Sequence, residues 1–209
     1  MLDAIELSFK VINRMTRDWE YLHRSNCKQI ADDAIEELNV RFREQGVGYQ
    51  FEGEIIRVDS TFLHAEAVKP VLALLREPEY KGAQAEFLTA HDHYRHGRKK
   101  ETLNECLKAF ESVMKGICAK RRWTYDPNAQ AKTLLQTLFD NGLIQPFWNS
   151  HFSALRSTLE CGVPTARNKL GGHGQGTEVV DVPDFLVGYV LHLTASAVLF
   201  LAAAEKALG

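Results

Sequence analysis

The 209-residue sequence predicts an all-α protein with one small β-hairpin, on three observations. Apolar residues recur at three- and four-residue steps through most of the chain, the period of a helix with one buried face. Only the stretch near residues 49–58 reads as two short strands around a turn. The segment from Phe185 to Ala204 is apolar nearly all round, as a helix buried in a bundle is.

The elements follow in order. Residues 3–22 read as a first helix and 27–44 as a second, capped by Ser25 or Asn26 and carrying Ile30, Ala34, Ile35, Leu38 and Phe42 on one side. Gly46 and Gly48 stop it, and Tyr49-Gln50-Phe51 and Ile55-Ile56-Arg57-Val58 flank Glu52-Gly53-Glu54 as a hairpin. An isolated hairpin is marginal in water, so this one must pack on helices. Asp59-Ser60 restarts a helix that runs to about Arg76, with Pro70 as a kink or break. Glu77-Pro78 is the expected boundary between an N-terminal helical module, residues 1–78, and a main helical domain, residues 79–209.

Within the main domain a helix spans about 80–96 and ends at His96-Gly97-Arg98. Its antiparallel partner, 99–122, is expected to bury Leu103, Cys106, Leu107, Phe110, Met114, Ile117 and Cys118. Trp123 to Pro127 breaks the run, a short helix at 129–140 closes on Asn141-Gly142, and another covers 146–160. The last helix, 183–207, starts after Asp181 with Pro183 near its first turn. Its apolar part approaches the roughly 20 residues that span a bilayer. Internal His192, Thr194 and Ser196, and the lack of a basic cluster or aromatic belt at its exit, favour a buried helix and no membrane partner.

A formal net charge of -2 argues against nonspecific polyanion binding through overall charge, so any nucleic-acid site must be a local patch. Cys27, Cys106, Cys118 and Cys161 are widely spaced and show no zinc-site spacing. They read as reduced structural thiols of a cytoplasmic protein. The first twenty residues carry acids and no apolar core of the secretory type.

Chemistry concentrates in Arg167-Asn168-Lys169-Leu170-Gly171-Gly172-His173-Gly174-Gln175-Gly176, a polar, glycine-rich stretch before the last helix. Arg offers a planar fork for a phosphate, His gives or takes a proton near neutral pH, and glycine lets the backbone approach a ligand closely. This set requires no metal and no cofactor. On composition alone the same stretch reads equally as a surface loop with Arg167 solvated.

Other positions carry two readings. His91, His93 and His96, with Arg95, Arg98, Lys99 and Lys100, form a polar or basic helix end and an RNA-contact patch in preference to a metal cluster. Glu111 is placed as a buried acid paired with an arginine such as Arg156, fixing bundle geometry. His192 is expected to be a hydrogen-bonded core or interface residue. Trp19, Trp123 and Trp148 are expected to pack, although an exposed one would be able to stack on a base.

Arg167-Asn168 followed after four residues by His173, ahead of the last helix of a bundle, resembles the signature of the HEPN (higher eukaryotes and prokaryotes nucleotide-binding) superfamily. The stretches AHDHYRHGRKKETLNECLKAFESVMKGICAKRRW and HFSALRSTLECGVPTARNKLGGHGQG are similar to the C-terminal domain of abortive-infection proteins, a bacterial anti-phage group within it. The resemblance covers about residues 80–207, and the first 80 residues look like a partial version of the extra N-terminal module of such proteins. It implies a HEPN-type bundle acting as a homodimeric, metal-independent endoribonuclease, a toxin-like effector of phage defence restrained by an antitoxin or regulatory partner. Two copies of the motif would then meet at one cleft.

Under that resemblance His173 is the general acid or base, Arg167 the phosphate clamp and Asn168 an orienting partner. Lys169, Gly172, Gly174 and Gln175 lie on the substrate side, and His151 and Arg156 approach from the preceding helix. Some members of the superfamily keep the fold without cleaving. A noncatalytic RNA- or nucleotide-binding dimeric module that regulates a partner is the alternative, and a structural helical adaptor a third.

Overall fold

The computed structural model describes residues 1–45, 47–58, 64–143 and 182–209. The elements are numbered over these residues. By contacts the chain forms two compact units, Met1–Thr61 and Phe62–Gly209, dividing ahead of the Glu77-Pro78 expected from the sequence.

In the first unit α1 covers Leu2–Met15, and a separate one-turn helix α2 covers Trp19–Leu22. The single helix expected over 3–22 is therefore broken. Asp18 is the reason: its extended backbone leaves the helix and its carboxylate accepts from the Glu20 N–H at 2.9 Å, capping a new start. His23, in the left-handed region at φ 51°, ends α2. Helix α3, Cys27–Glu44, has the expected bounds and buries Cys27, Ala31, Leu38, Asn39 and Phe42, while Ile30, Ala34 and Ile35 are half-buried. Asn26 sits at its N-cap, but its side chain makes no capping bond.

Strands β1, Tyr49–Phe51, and β2, Ile55–Arg57, pair antiparallel with Phe51 opposite Ile55, and Gly53 turns the chain at φ 97°. Two helices hold this hairpin. Buried Asn39 of α3 accepts from the Phe51 N–H at 2.7 Å and donates to its carbonyl at 3.2 Å. Glu6 of α1 accepts from the Ile55 N–H at 3.1 Å, and Lys10 links Glu6 and Glu54 at 2.8 and 3.0 Å. Beneath lie Leu38, Phe42, Phe51 and Ile55, with Leu2, Ile5 and Phe9 packed against them.

The second unit opens with a π-helical turn, His64–Val68, that runs into α4, Lys69–Leu74. Pro70 lies in the first turn of α4, where its missing N–H costs no intrahelical bond, and the widened turn before it accommodates the ring. A 3-10 turn, Pro78–Tyr80, leads to α5, Lys81–Arg95; α6, Lys99–Arg121, follows, then α7, Ala131–Asp140, and α8, Asp184–Ala207.

Helix α6 is the centre. It packs on α5, α7, α8 and the 3-10 turn, and Leu103, Cys106, Phe110, Met114, Ile117 and Cys118 are fully buried, whereas Leu107 is half-buried. Tyr80 presses so closely on α6 that a Cβ at Gly116 would stand 2.9 Å from its ring and from the Glu79 carbonyl. Pro183 is the N-cap of α8, and the helix expected over 146–160 lies outside the described residues. Helix α8 is long and apolar enough to cross a membrane by length and composition, and more than half of that stretch is buried inside the protein.

Candidate functional site

His151, Arg156, Arg167, Asn168, Lys169, Gly172, His173, Gly174 and Gln175 lie outside the described residues. The described chain stops at Leu143 and resumes at Val182, both buried. Val182 belongs to a core cluster with Ala90, Tyr94, Leu103, Cys106, Val187, Val190 and Leu191, so α5, α6 and the N-terminal half of α8 form the wall from which α8 starts.

At the corner between α5 and α6, Gly97 takes the left-handed conformation at φ 70° and the Arg98 N–H closes on the His93 carbonyl at 2.9 Å. Asp92 organises the basic side chains gathered there. Arg95 donates to one of its carboxylate oxygens at 2.9 Å and Arg98 to the other at 2.5 Å, while His96 Nδ1 lies 2.9 Å from its carbonyl. Partial burial opposes the charge on Asp92, but the Arg95 bond and the neighbouring His96, Arg95 and Arg98 charges outweigh it and hold the carboxyl below its ordinary range. Lys99 then reaches Asp184 at 2.8 Å, tying this corner to the first residue of α8.

The three histidines of the corner sequence have separate environments. His91 is 2 % exposed, lies edge-on to Phe87 with ring centroids 4.8 Å apart, and has no hydrogen-bond partner at either ring nitrogen. Burial pushes its pKa down to about 3, helped by His64 and His192, so its imidazole is neutral near pH 7. His93 is half-buried and His96 exposed. Among the described residues no group of three His, Cys, Asp or Glu side chains could hold a metal ion.

Two expectations are corrected. Glu111 is half-buried, not buried, and its carboxylate accepts from the Ala131 N–H at 2.9 Å, satisfying an orphan donor in the first turn of α7; the expected partner Arg156 lies outside the described residues. Trp19 does not pack in a core: it is largely exposed and meets His23 edge-on at 5.6 Å. Trp123 is half-buried, and so is His192.

A polar cluster at the far end of α8 escaped the sequence reading. Glu205 is 1 % exposed, with Lys120 at 2.9 Å and Arg121 at 2.5 Å, and an open cleft of about 410 Å³ is lined by these three with Lys206 and Gly209. Burial opposes its charge, but the hydrogen bonds from Lys120 and Arg121 prevail and keep the carboxyl below its ordinary range. The only sequence signal was an acid next to a long apolar run, and its partners stand in another helix.

A family model described as a HEPN-like domain matches residues 81–205, a span that takes in α5, α6, α7 and most of α8 together with Arg167, Asn168 and His173. Comparison with curated proteins and with solved structures finds no match.

Proposed function

The chain belongs to the family of HEPN-like domains, and from that premise we propose that it is a metal-independent endoribonuclease of abortive infection, acting in the cytoplasm as a homodimer. The observation that carries this reading is the Arg167-Asn168 pair followed after four residues by His173, inside the span that the family model matches.

Cleavage would proceed by attack of the ribose 2′-oxygen on phosphorus, forming the 2′-O–P bond and breaking the bond from phosphorus to the 5′-oxygen. A base takes the 2′-hydroxyl proton and an acid supplies a proton to the departing oxygen. His173 is suited to either task, and two copies of the chain would bring two imidazoles to one cleft. Arg167 would offset charge on the phosphorane, with Asn168 orienting it. Lys169, Gly172, Gly174, Gln175, His151 and Arg156 would line the substrate path. The products are a 2′,3′-cyclic phosphate and a 5′-hydroxyl. A neighbouring antitoxin or regulatory partner would restrain the activity until infection.

The test is purified protein with total RNA in EDTA, beside Arg167→Ala and His173→Ala. Wild type is expected to cleave and leave cyclic phosphate ends, with each variant slowed at least a hundredfold. Cleavage that survives both substitutions sinks the site assignment. RNA or nucleotide binding without cleavage by wild type supports the noncatalytic module instead. Light scattering checks the shared cleft, since a monomeric active enzyme contradicts it.

A further inference from the structure

We propose that Phe185 and Tyr189 on the first turns of α8, beside the basic α5–α6 corner, form a base-stacking site for single-stranded RNA; the proposal deepens the RNA-cleaving reading and rests on it. Phe185 is 74 % and Tyr189 59 % exposed, and they are the exposed large hydrophobic residues of the second unit among the described residues. The bundle makes little use of either ring: the packed side of α8 presents Val187, Val190 and Leu191 instead.

The chemistry beside them chooses the occupant. Asp184, whose carboxylate meets Lys99 at 2.8 Å, ties the first turn of α8, which carries Phe185, to the corner that bears Arg98, Lys99 and Lys100. Lys100, half-buried at the start of α6, makes no ion pair among the described residues. In a chain of net charge -2, Arg95, Arg98, Lys99 and Lys100 outnumber Asp92, Glu101 and Asp184 here, and this local excess of positive charge is where a polyanion would bind. Aromatic faces take bases of any sequence, and adjacent cations hold the backbone between them.

Spacing selects a single strand. Four residues along a helix advance roughly 6 Å, well beyond the roughly 3.4 Å between stacked nucleotides of a duplex. The two rings therefore suit unstacked bases of an extended strand. Such a strand would run across the start of α8, the helix that the Arg167–His173 stretch precedes in sequence.

The test measures anisotropy of a labelled twelve-nucleotide single-stranded RNA carrying 2′-O-methyl groups, which cannot be cut by 2′-oxygen attack, bound to the full chain in EDTA. Phe185→Ala and Tyr189→Ala should each weaken binding about tenfold, with Tyr189→Phe retaining it. Lys100→Glu should also weaken binding and flatten its salt dependence. Tyr21→Ala, an exposed ring of the other unit, should change nothing. A double alanine variant that binds like wild type overturns the proposal; if wild type still cleaves unmodified RNA, the nuclease reading stands without it. If wild type neither binds nor cleaves RNA, both fail. Wild type that binds but does not cleave, with binding lost in the ring variants, keeps the stacking site and removes the nuclease. A change of oligomeric state in the double variant assigns the face to a second copy of this chain and likewise overturns the proposal.

Discussion

The two ends of α8 are built on opposite plans. At the C-terminal end Glu205 is buried and receives Lys120, the Arg121 Nε at 2.5 Å, and a second Arg121 nitrogen at its own carbonyl. Arg121 also donates to the Gly209 carbonyl at 2.7 Å, and Lys206 meets Glu77 at 3.1 Å. At the N-terminal end, among the described residues, Lys99 pairs with the largely exposed Asp184, and the rings of Phe185 and Tyr189 stand in solvent. Some 36 Å of helix separates the two ends. A buried carboxylate with several donors fixes its surroundings because no single partner can be removed cheaply. An exposed pair next to uncovered rings leaves the surface open for something to bind.

The largest effect should therefore come from the closed end. Glu205→Ala leaves Lys120 and Arg121 beside an empty buried position and is expected to cost about 3 kcal/mol, measured by urea unfolding. That is the low end for a broken buried pair, because the two cations keep part of their solvent. A loss under about 1 kcal/mol would put this end on a par with an exposed ion pair and erase the contrast.

The same logic separates what was legible in the sequence from what was not. The bounds of α3 and the pairing of α5 with α6 rest on local periodicity and on Gly97, which are properties of neighbouring residues. The break at Asp18 was hidden because the apolar pattern continues through it, while one side-chain cap redirects the chain. Lys120 and Arg121 pair with Glu205 across some 85 residues, a distance that periodicity does not encode. The histidines at 91, 93 and 96 look alike as letters, and burial against Phe87, with His64 and His192 near enough to act on its charge, sets His91 apart. Arg167, Asn168 and His173 are singled out by their spacing alone; they fall inside the span of the family match and outside the described residues.

Acid should break the contrast in two stages. The pKa of His91 falls to about 3 in the folded protein, against about 6.5 unfolded. The unfolded chain takes up that proton first, so stability declines as pH falls below about 6.5 and keeps declining to about 3. Glu205 is also depressed, so its contribution is present above the ordinary glutamate range and is lost only as pH falls through its lower folded value. Urea midpoints across pH should show His91→Leu flattening the first stage, worth up to about 1.4 kcal/mol per pH unit. Glu205→Gln should flatten only the second. Equal slopes in wild type and His91→Leu between roughly pH 6.5 and 4.5 would mean the imidazole is not buried neutral as described.

The smallest effect belongs to the open end. Lys99→Ala removes the ion pair with Asp184, yet that carboxylate keeps the favourable field of the α8 N-terminus and most of its water. The expected loss is below about 0.5 kcal/mol and should vanish in 1 M salt, where exposed charges are screened within roughly 3 Å. A loss as large as that of Glu205→Ala would show that the corner is fastened as tightly as the other end. A negligible one assigns the hold on the start of α8, among the described residues, to the apolar cluster of Val182, Val187, Val190 and Leu191, not to the Lys99–Asp184 pair.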